Sequence, residues 1–106
     1  MAKRKIAYNI EWADQAKQQF FDILEYWNLR NKSTSYSEKL IDIVDERLKY
    51  LSQYPKSSTK TNIPESRICV LGHYSIIYKV QKTQIYIMAF WDNRQDPRKL
   101  RELLKE

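Results

Sequence analysis

A single glycine, Gly72, in 106 residues excludes the phosphate-cradling loops of nucleotide-binding sites, which need several positions free of a Cβ. A single cysteine, Cys69, excludes an intrachain disulfide and fits a reducing compartment. With one histidine, His73, beside that one cysteine, there is no donor set for a protein-only zinc site. No HExxH stretch or nucleophile elbow is present either, so neither a metal nor a cofactor is expected. Proline occurs three times, and no stretch reads as a linker, a repeat or low-complexity sequence. No apolar run reaches the length of a membrane span. The basic start, Met1 to Lys5, is not followed by the apolar core of a signal peptide. The expectation is a cytoplasmic protein with no membrane partner.

What is present is enough for one core. Hydrophobic residues make up 42% of the chain and aromatic residues 13%, and the length suits a single domain spanning residues 1–106. The formal net charge is +6, and it is unevenly spread. Residues 1–54 carry nine basic and eight acidic side chains, whereas residues 55–106 carry ten basic and five acidic. A basic half beside a nearly neutral half suggests a polyanionic partner, either nucleic acid or an acidic protein segment. A lysine-rich solvated surface explains the same count equally well.

The periodicities give an element order. Residues 4–10 read as a short strand, with Ile6, Tyr8 and Ile10 alternating. Ala16, Phe20, Ile23, Leu24 and Trp27 then fall on one helical face, and the stretch 28–33 breaks that pattern. Ser35 and Glu38 have capping-box spacing for a second helix. Leu40, Val44, Leu48 and Leu51 form its apolar stripe, widened by Ile41 and Ile43. After a Ser/Thr/Lys loop at 55–66, a strand is expected over 67–71, a turn at Gly72-His73, and a second strand in which Tyr74, Ile76, Tyr78 and Val80 alternate. A third strand over 84–91 is apolar on both faces and is expected to be central. It places Ile85, Ile87, Ala89 and Trp91 on one side and Tyr86, Met88 and Phe90 on the other. Asp96-Pro97 has the form of a helix start, and Leu100, Leu103 and Leu104 give that last helix an apolar edge among basic residues. The fold class is therefore α+β: an N-terminal strand, an α-helical hairpin packed on a mostly antiparallel sheet, and a short C-terminal helix, in the order β-α-α-β-β-β-α.

Four pieces of this pattern carry a resemblance: Trp12 with Ala16 and the Phe20–Tyr26 stretch; Leu48-x-x-Leu51-x-x-Tyr54-Pro55; Arg67 through Tyr78; and Phe90-Trp91-Asp92-Asn93-Arg94-Gln95-Asp96-Pro97. In this order the chain resembles the RelE/ParE superfamily of toxins from type II toxin–antitoxin systems, closer to the ParE and plasmid-stabilisation branch. The resemblance implies a bacterial growth inhibitor held in a hetero-oligomer by a cognate antitoxin, expected to be acidic and partly disordered. It also implies one of two targets: DNA gyrase for ParE-type members, or mRNA on the ribosome for RelE-type endoribonucleases. A non-toxic binding module of the same fold is a third reading.

The RelE-type reaction needs a base, cations on the crowded phosphate and an acid for the leaving oxygen. Of the five family positions, Arg67 and Arg94 match in character, whereas Cys69, Ser75 and Leu100 replace basic or tyrosine residues. If the chain is a ribonuclease, the catalytic candidates are Arg67, His73 and Arg94; His73 has the intrinsic pKa for acid–base work. The bland alternative is that each arginine pairs with a carboxylate such as Asp92 or Asp96, and that His73 is a solvated turn residue. Most of the sheet aromatics are expected to be core. Tyr74 and Trp91, at strand ends, are the exceptions expected to stack on a partner. Candidates for target or antitoxin binding are thus Tyr74, Trp91, Arg94, Arg98, Lys99 and Arg101.

Overall fold

The computed structural model describes residues 7–104, without the side chain of Leu103. The elements are β1 (Asn9–Trp12), α1 (Asp14–Asn31), α2 (Ser35–Gln53), β2 (Thr59–Lys60), β3 (Ser66–Leu71), β4 (Tyr74–Gln81), β5 (Gln84–Asp92) and α3 (Pro97–Leu104). The five strands form one sheet in the order β1-β5-β4-β3-β2. β1 runs parallel to β5, and every other pairing is antiparallel. The mostly antiparallel α+β arrangement expected from the sequence is present, with one short strand added: β2, within the 55–66 loop.

Several boundaries differ from the expectation for local reasons. The first strand begins later than residue 4, and the part of the expected strand up to Ile6 lies outside the described residues. Helix α1 does not break at Asn28 but runs on to Asn31, ending on Lys32, whose left-handed φ of 51° lets its amide bond back to Asn28. The apolar Leu29 on this last stretch faces solvent. A period count cannot distinguish an off-stripe leucine from the end of a helix. The cap of α2 also shifts by one residue. Thr34 takes the N-cap position, and its hydroxyl, rather than that of Ser35, donates to the Glu38 carboxylate at 2.7 Å. Ile41 and Ile43, expected to widen the stripe of α2, are exposed.

The main core lies between the helical hairpin and one face of the sheet. Ala16, Leu40, Val44, Leu48 and Leu51 from the helices meet Cys69, Tyr74, Ile76, Tyr78, Ile85, Ile87 and Phe90 from the strands. Trp12, Phe20 and Phe90 pack ring to ring, with centroids 4.6 Å apart for Phe20–Phe90 and 5.5 Å for Trp12–Phe20. The hairpin is closed by buried Ser37 of α2, which donates to the Leu24 carbonyl at 2.9 Å and also bonds the Asn28 side chain. A smaller core on the opposite face joins Ile77, Ala89 and Trp91 to Ile68, Met88, Leu100 and Leu104.

A β-bulge makes both cores possible. Ile77 pairs with Ala89 but Tyr78 pairs with Ile87, so Met88 is an extra residue in β5. An extra residue reverses the facing of all that follow it. This corrects the alternation expected for 84–91: Ile85, Ile87 and Phe90 face the hairpin, while Ala89 and Trp91 face the other way. β5 is an internal strand, as expected, though β4 is the middle one of the five.

Past the bulge β5 loses its neighbour, because β1 ends at Trp12 opposite Ile87. Helix α1 takes over. The Ala13 amide donates to the Ile87 carbonyl at 2.8 Å. One turn apart on α1, the Gln15 amide donates to the Met88 carbonyl at 3.0 Å, and the Gln19 side-chain oxygen accepts from the Phe90 amide at 2.9 Å. Backbone groups left unpaired at partial burial are expensive, so these two glutamines replace the missing strand. Gln19→Leu is therefore expected to lower the urea-unfolding free energy by about 1–3 kcal/mol, the usual cost of stranding a buried amide. Gln18→Leu, one residue away and exposed, should change it by less than about 0.5 kcal/mol. Equal effects at the two positions would refute this account.

Candidate functional site

The expected site residues fall into three separate places. The first is the β3–β4 turn together with the end of β5. Gly72 has a φ of 59° with no atom near its missing Cβ, so backbone conformation rather than space requires glycine in this two-residue turn. His73 follows it and is exposed, and its carbonyl accepts from the Asn93 amide at 2.7 Å. Asp92 binds Arg94 through both carboxylate oxygens: Nε donates at 2.9 Å and Nη2 at 2.7 Å. The Arg94 guanidinium holds the Asp92 carboxyl below its ordinary value, helped by the Arg94 amide and by the nearby His73. Asp92 in turn keeps Arg94 protonated beyond its ordinary range. The carboxylate pairing expected as the bland reading of Arg94 is thus present.

Beside this pair lies an aromatic network. The Tyr74 hydroxyl accepts from Trp27 Nε1 at 2.8 Å. Trp27 contacts Tyr36 and Tyr26 at centroid distances of 5.0 and 5.1 Å, and the Arg30 guanidinium stands 6.0 Å from its ring. Burial pushes the Tyr74 phenol above its ordinary value. Tyr74 and Trp91 are only 3% and 5% exposed, which corrects the expectation that they stack on a partner. Tyr74 belongs to the main core and Trp91 to the smaller one. The exposed aromatics around Tyr74 come from the helical hairpin instead, Tyr26 and Tyr36 among them. No period-two reading of the sheet points to them.

The second place is the outer face under α3. Asp96 caps that helix: its carboxylate accepts from the Arg98 amide at 2.9 Å and pairs with the Arg98 guanidinium at 2.9 Å. Leu100 and Leu104 pack on the sheet, while Arg98, Lys99 and Arg101 are exposed. An open apolar groove of about 550 Å³ remains between α3, Ile77 and the 61–63 loop. Ser75 also points to this face, is buried, and donates to the Asn93 side chain at 2.6 Å. Both Ser75 and Leu100, which occupy positions where RelE-type enzymes carry basic and tyrosine residues, are therefore part of packing.

The third place is the far end of the sheet. Arg67 pairs across the ladder with Tyr78, on the face toward the hairpin. Its Nη1 donates to the carbonyls of Lys56 at 3.1 Å and Ser58 at 2.7 Å. The buried Tyr78 hydroxyl donates to the Pro55 carbonyl at 2.9 Å. Together they fasten the loop that leaves α2. Cys69 lies on the same face, buried, and accepts from Arg47 at 3.3 Å. The carboxylate pairing expected for Arg67 is absent among the described residues; its partners are main-chain oxygens. The three ribonuclease candidates are not assembled. His73 and Arg94 sit at the end where β4 begins, and Arg67 lies opposite Tyr78, several residues further along the same strand. Among the described residues no group of three His, Cys, Asp or Glu side chains is placed to hold a metal. No helix among them is long and apolar enough to cross a membrane.

Against known proteins, the family described as the ParE toxin of the type II toxin–antitoxin system parDE matches residues 10–97. The chain belongs to the ParE toxin family. No curated protein matches it. Among solved structures, one described as the chromosomal ParDE system from P. aeruginosa superposes with a TM-score of 0.69 at 17% identity, covering 81% of this chain and 96% of that one. At that identity the likeness concerns the fold, and it agrees with the β-α-α-β-β-β-α core read from the sequence. The matched region ends at Pro97, so most of α3 lies beyond it.

The Asp92–Arg94 pair has a consequence for this ParE toxin's acid stability. A carboxyl held low in the folded state contributes stability above its unfolded pKa, near 3.9. That contribution disappears as pH falls through the lower folded value. Asp92→Asn should therefore flatten the stability loss below about pH 4 while leaving its slope near neutrality unchanged, measured by urea melts from pH 2 to 7. Superimposable acid limbs for the two proteins would contradict this role.

Proposed function

We propose that this ParE toxin arrests growth by binding its target, DNA gyrase, without catalysing a reaction, and that a cognate antitoxin neutralises it. The observation that carries the non-catalytic part is the separation of Arg67 from His73 and Arg94. In-line cleavage of RNA needs its base, acid and phosphate-binding cations within reach of one phosphodiester. Here Arg67 stands opposite Tyr78, four residues along β4 from Tyr74, which pairs with the Asp92 that holds Arg94, and each arginine is occupied. The remaining positions are a buried cysteine, a buried serine and a packing leucine. A binding inhibitor asks only for a surface, and the exposed basic side of α3, with Arg98, Lys99 and Arg101, supplies one beside Arg94. Trp91 supports that helix from beneath, while Tyr74 belongs to the hairpin core. The +6 charge favours fast capture by an acidic, partly disordered antitoxin. Membership of the ParE toxin family supports gyrase over the ribosome as the target.

Inducing the chain without antitoxin is expected to lower thymidine incorporation before methionine incorporation in the same culture, and the purified chain should inhibit gyrase supercoiling. Replacing Arg98, Lys99 and Arg101 together by Gln should weaken that inhibition at least tenfold without altering the fold, since all three side chains are exposed. Earlier collapse of methionine incorporation would replace this reading with the RelE-type ribonuclease. No growth effect at all would leave a binding module of the same fold.

A further inference from the structure

The end of the sheet that holds Arg67 carries a charge arrangement that folding alone does not favour. In β2, Lys60 lies directly opposite Arg67 of β3. Like charges at directly opposed positions destabilise a strand pair. Lys56, whose carbonyl Arg67 holds, lines the same cavity as Lys60 and Arg67, an open pocket of about 410 Å³. Among the described residues no carboxylate forms an ion pair with any of these three cations. The one acid at the pocket, Glu65, accepts from Gln81 at 3.5 Å. Over residues 55–84 the sequence has five basic side chains (Lys56, Lys60, Arg67, Lys79 and Lys82) against Glu65 alone.

We infer that this pocket binds phosphate groups presented along a nucleic-acid backbone. Two features favour phosphate over the carboxylates of an acidic protein. Carboxylate recognition draws most on a free arginine fork, and Arg67 has already committed Nη1 to two carbonyls. The cations left for a ligand are lysines, which serve phosphate well as point charges. Contacts of this kind reach the backbone and carry no base sequence. The binding is therefore sequence-independent and strongly salt-dependent. It lies at the opposite end of β4 from Arg94, so a target could be held at one end and nucleic acid at the other. The inference does not need gyrase to be the target. A chain that fails to inhibit gyrase yet binds duplex through these lysines keeps it, and the reverse result removes it while leaving the target reading intact.

The test is fluorescence anisotropy of the purified full chain with labelled duplex DNA of two unrelated sequences, over a salt series. Both duplexes should bind equally. Lys56→Gln with Lys60→Gln should weaken binding at least tenfold at low salt and make the slope of log affinity against log salt shallower by about 1.8, two phosphate contacts' worth. Arg67 is left in place because it fastens the loop. A control double variant, Lys17→Gln with Lys39→Gln, removes the same charge from exposed helix positions and should keep most of the affinity. Equal losses in the two double variants would mean diffuse attraction and overturn the site. Competition by polyglutamate as effective as by unlabelled DNA would overturn the phosphate preference. Inorganic phosphate that raises the thermal midpoint of the wild type, and not of the lysine variant, without any duplex binding would assign the pocket to free phosphate and overturn the polymer.

Discussion

The structure depends on one extra residue. Met88 interrupts the ladder between β4 and β5, so that the same strand feeds the hairpin core through Ile85, Ile87 and Phe90 and the α3 core through Ala89 and Trp91. A strict alternation would have left Phe90 on the outer face and Trp91 among the hairpin helices. The bulge also takes β5 beyond the reach of β1, and the price is a run of edge backbone without a strand. Gln15 and Gln19 meet that need from α1, one helical turn apart, which fixes how the helix sits across the sheet. The start of α1, the aromatic stack of Trp12, Phe20 and Phe90, and the position of α3 all follow from that arrangement.

The same geometry divides the polar residues between the start of β4 and its second half. At the start, Asp92, Arg94 and His73 gather around the β3–β4 turn, next to Tyr74, Trp27 and the exposed hairpin tyrosines. In the second half, Arg67 and Tyr78 bind the loop after α2, and Lys56 and Lys60 surround the pocket this creates. A RelE-type reaction would require these groups to meet. In this ParE toxin Cys69 and Ile76 of the main core lie between them on the face toward the hairpin. The fold is thus compatible with binding at two sites, and it sets Arg67 apart from the group of His73, Asp92 and Arg94.

Much of this architecture is legible in the order of residues along the chain. The stripes Ala16–Trp27 and Leu40–Leu51 mark two amphipathic helices because helical burial repeats locally. Asp96-Pro97 marks α3 because a cap is a local hydrogen bond. The inferences that fail are those that need a neighbour. Tyr74 and Trp91 look like exposed strand-end aromatics until Trp27 and α3 are placed over them. The opposition of Lys60 and Arg67 cannot be seen until β2, a strand of two residues, is paired. Arg67 reads as a phosphate ligand or an ion-pair member, whereas its partners are carbonyls, and carbonyls leave no mark in a sequence.

By itself the sequence determined the α+β class, the order of the elements, the lack of a nucleotide-cradling loop and the excess of positive charge in the second half. Each of these depends on composition or on short-range periodicity, and the family match over residues 10–97 agrees with the fold class and the order of elements. Tertiary structure alone decided which face each β5 residue takes, which aromatics are covered, and which charges stand together. Those outcomes turn on strand register, and register is set by contacts between residues far apart in the chain: one extra residue at Met88 reverses every side chain after it.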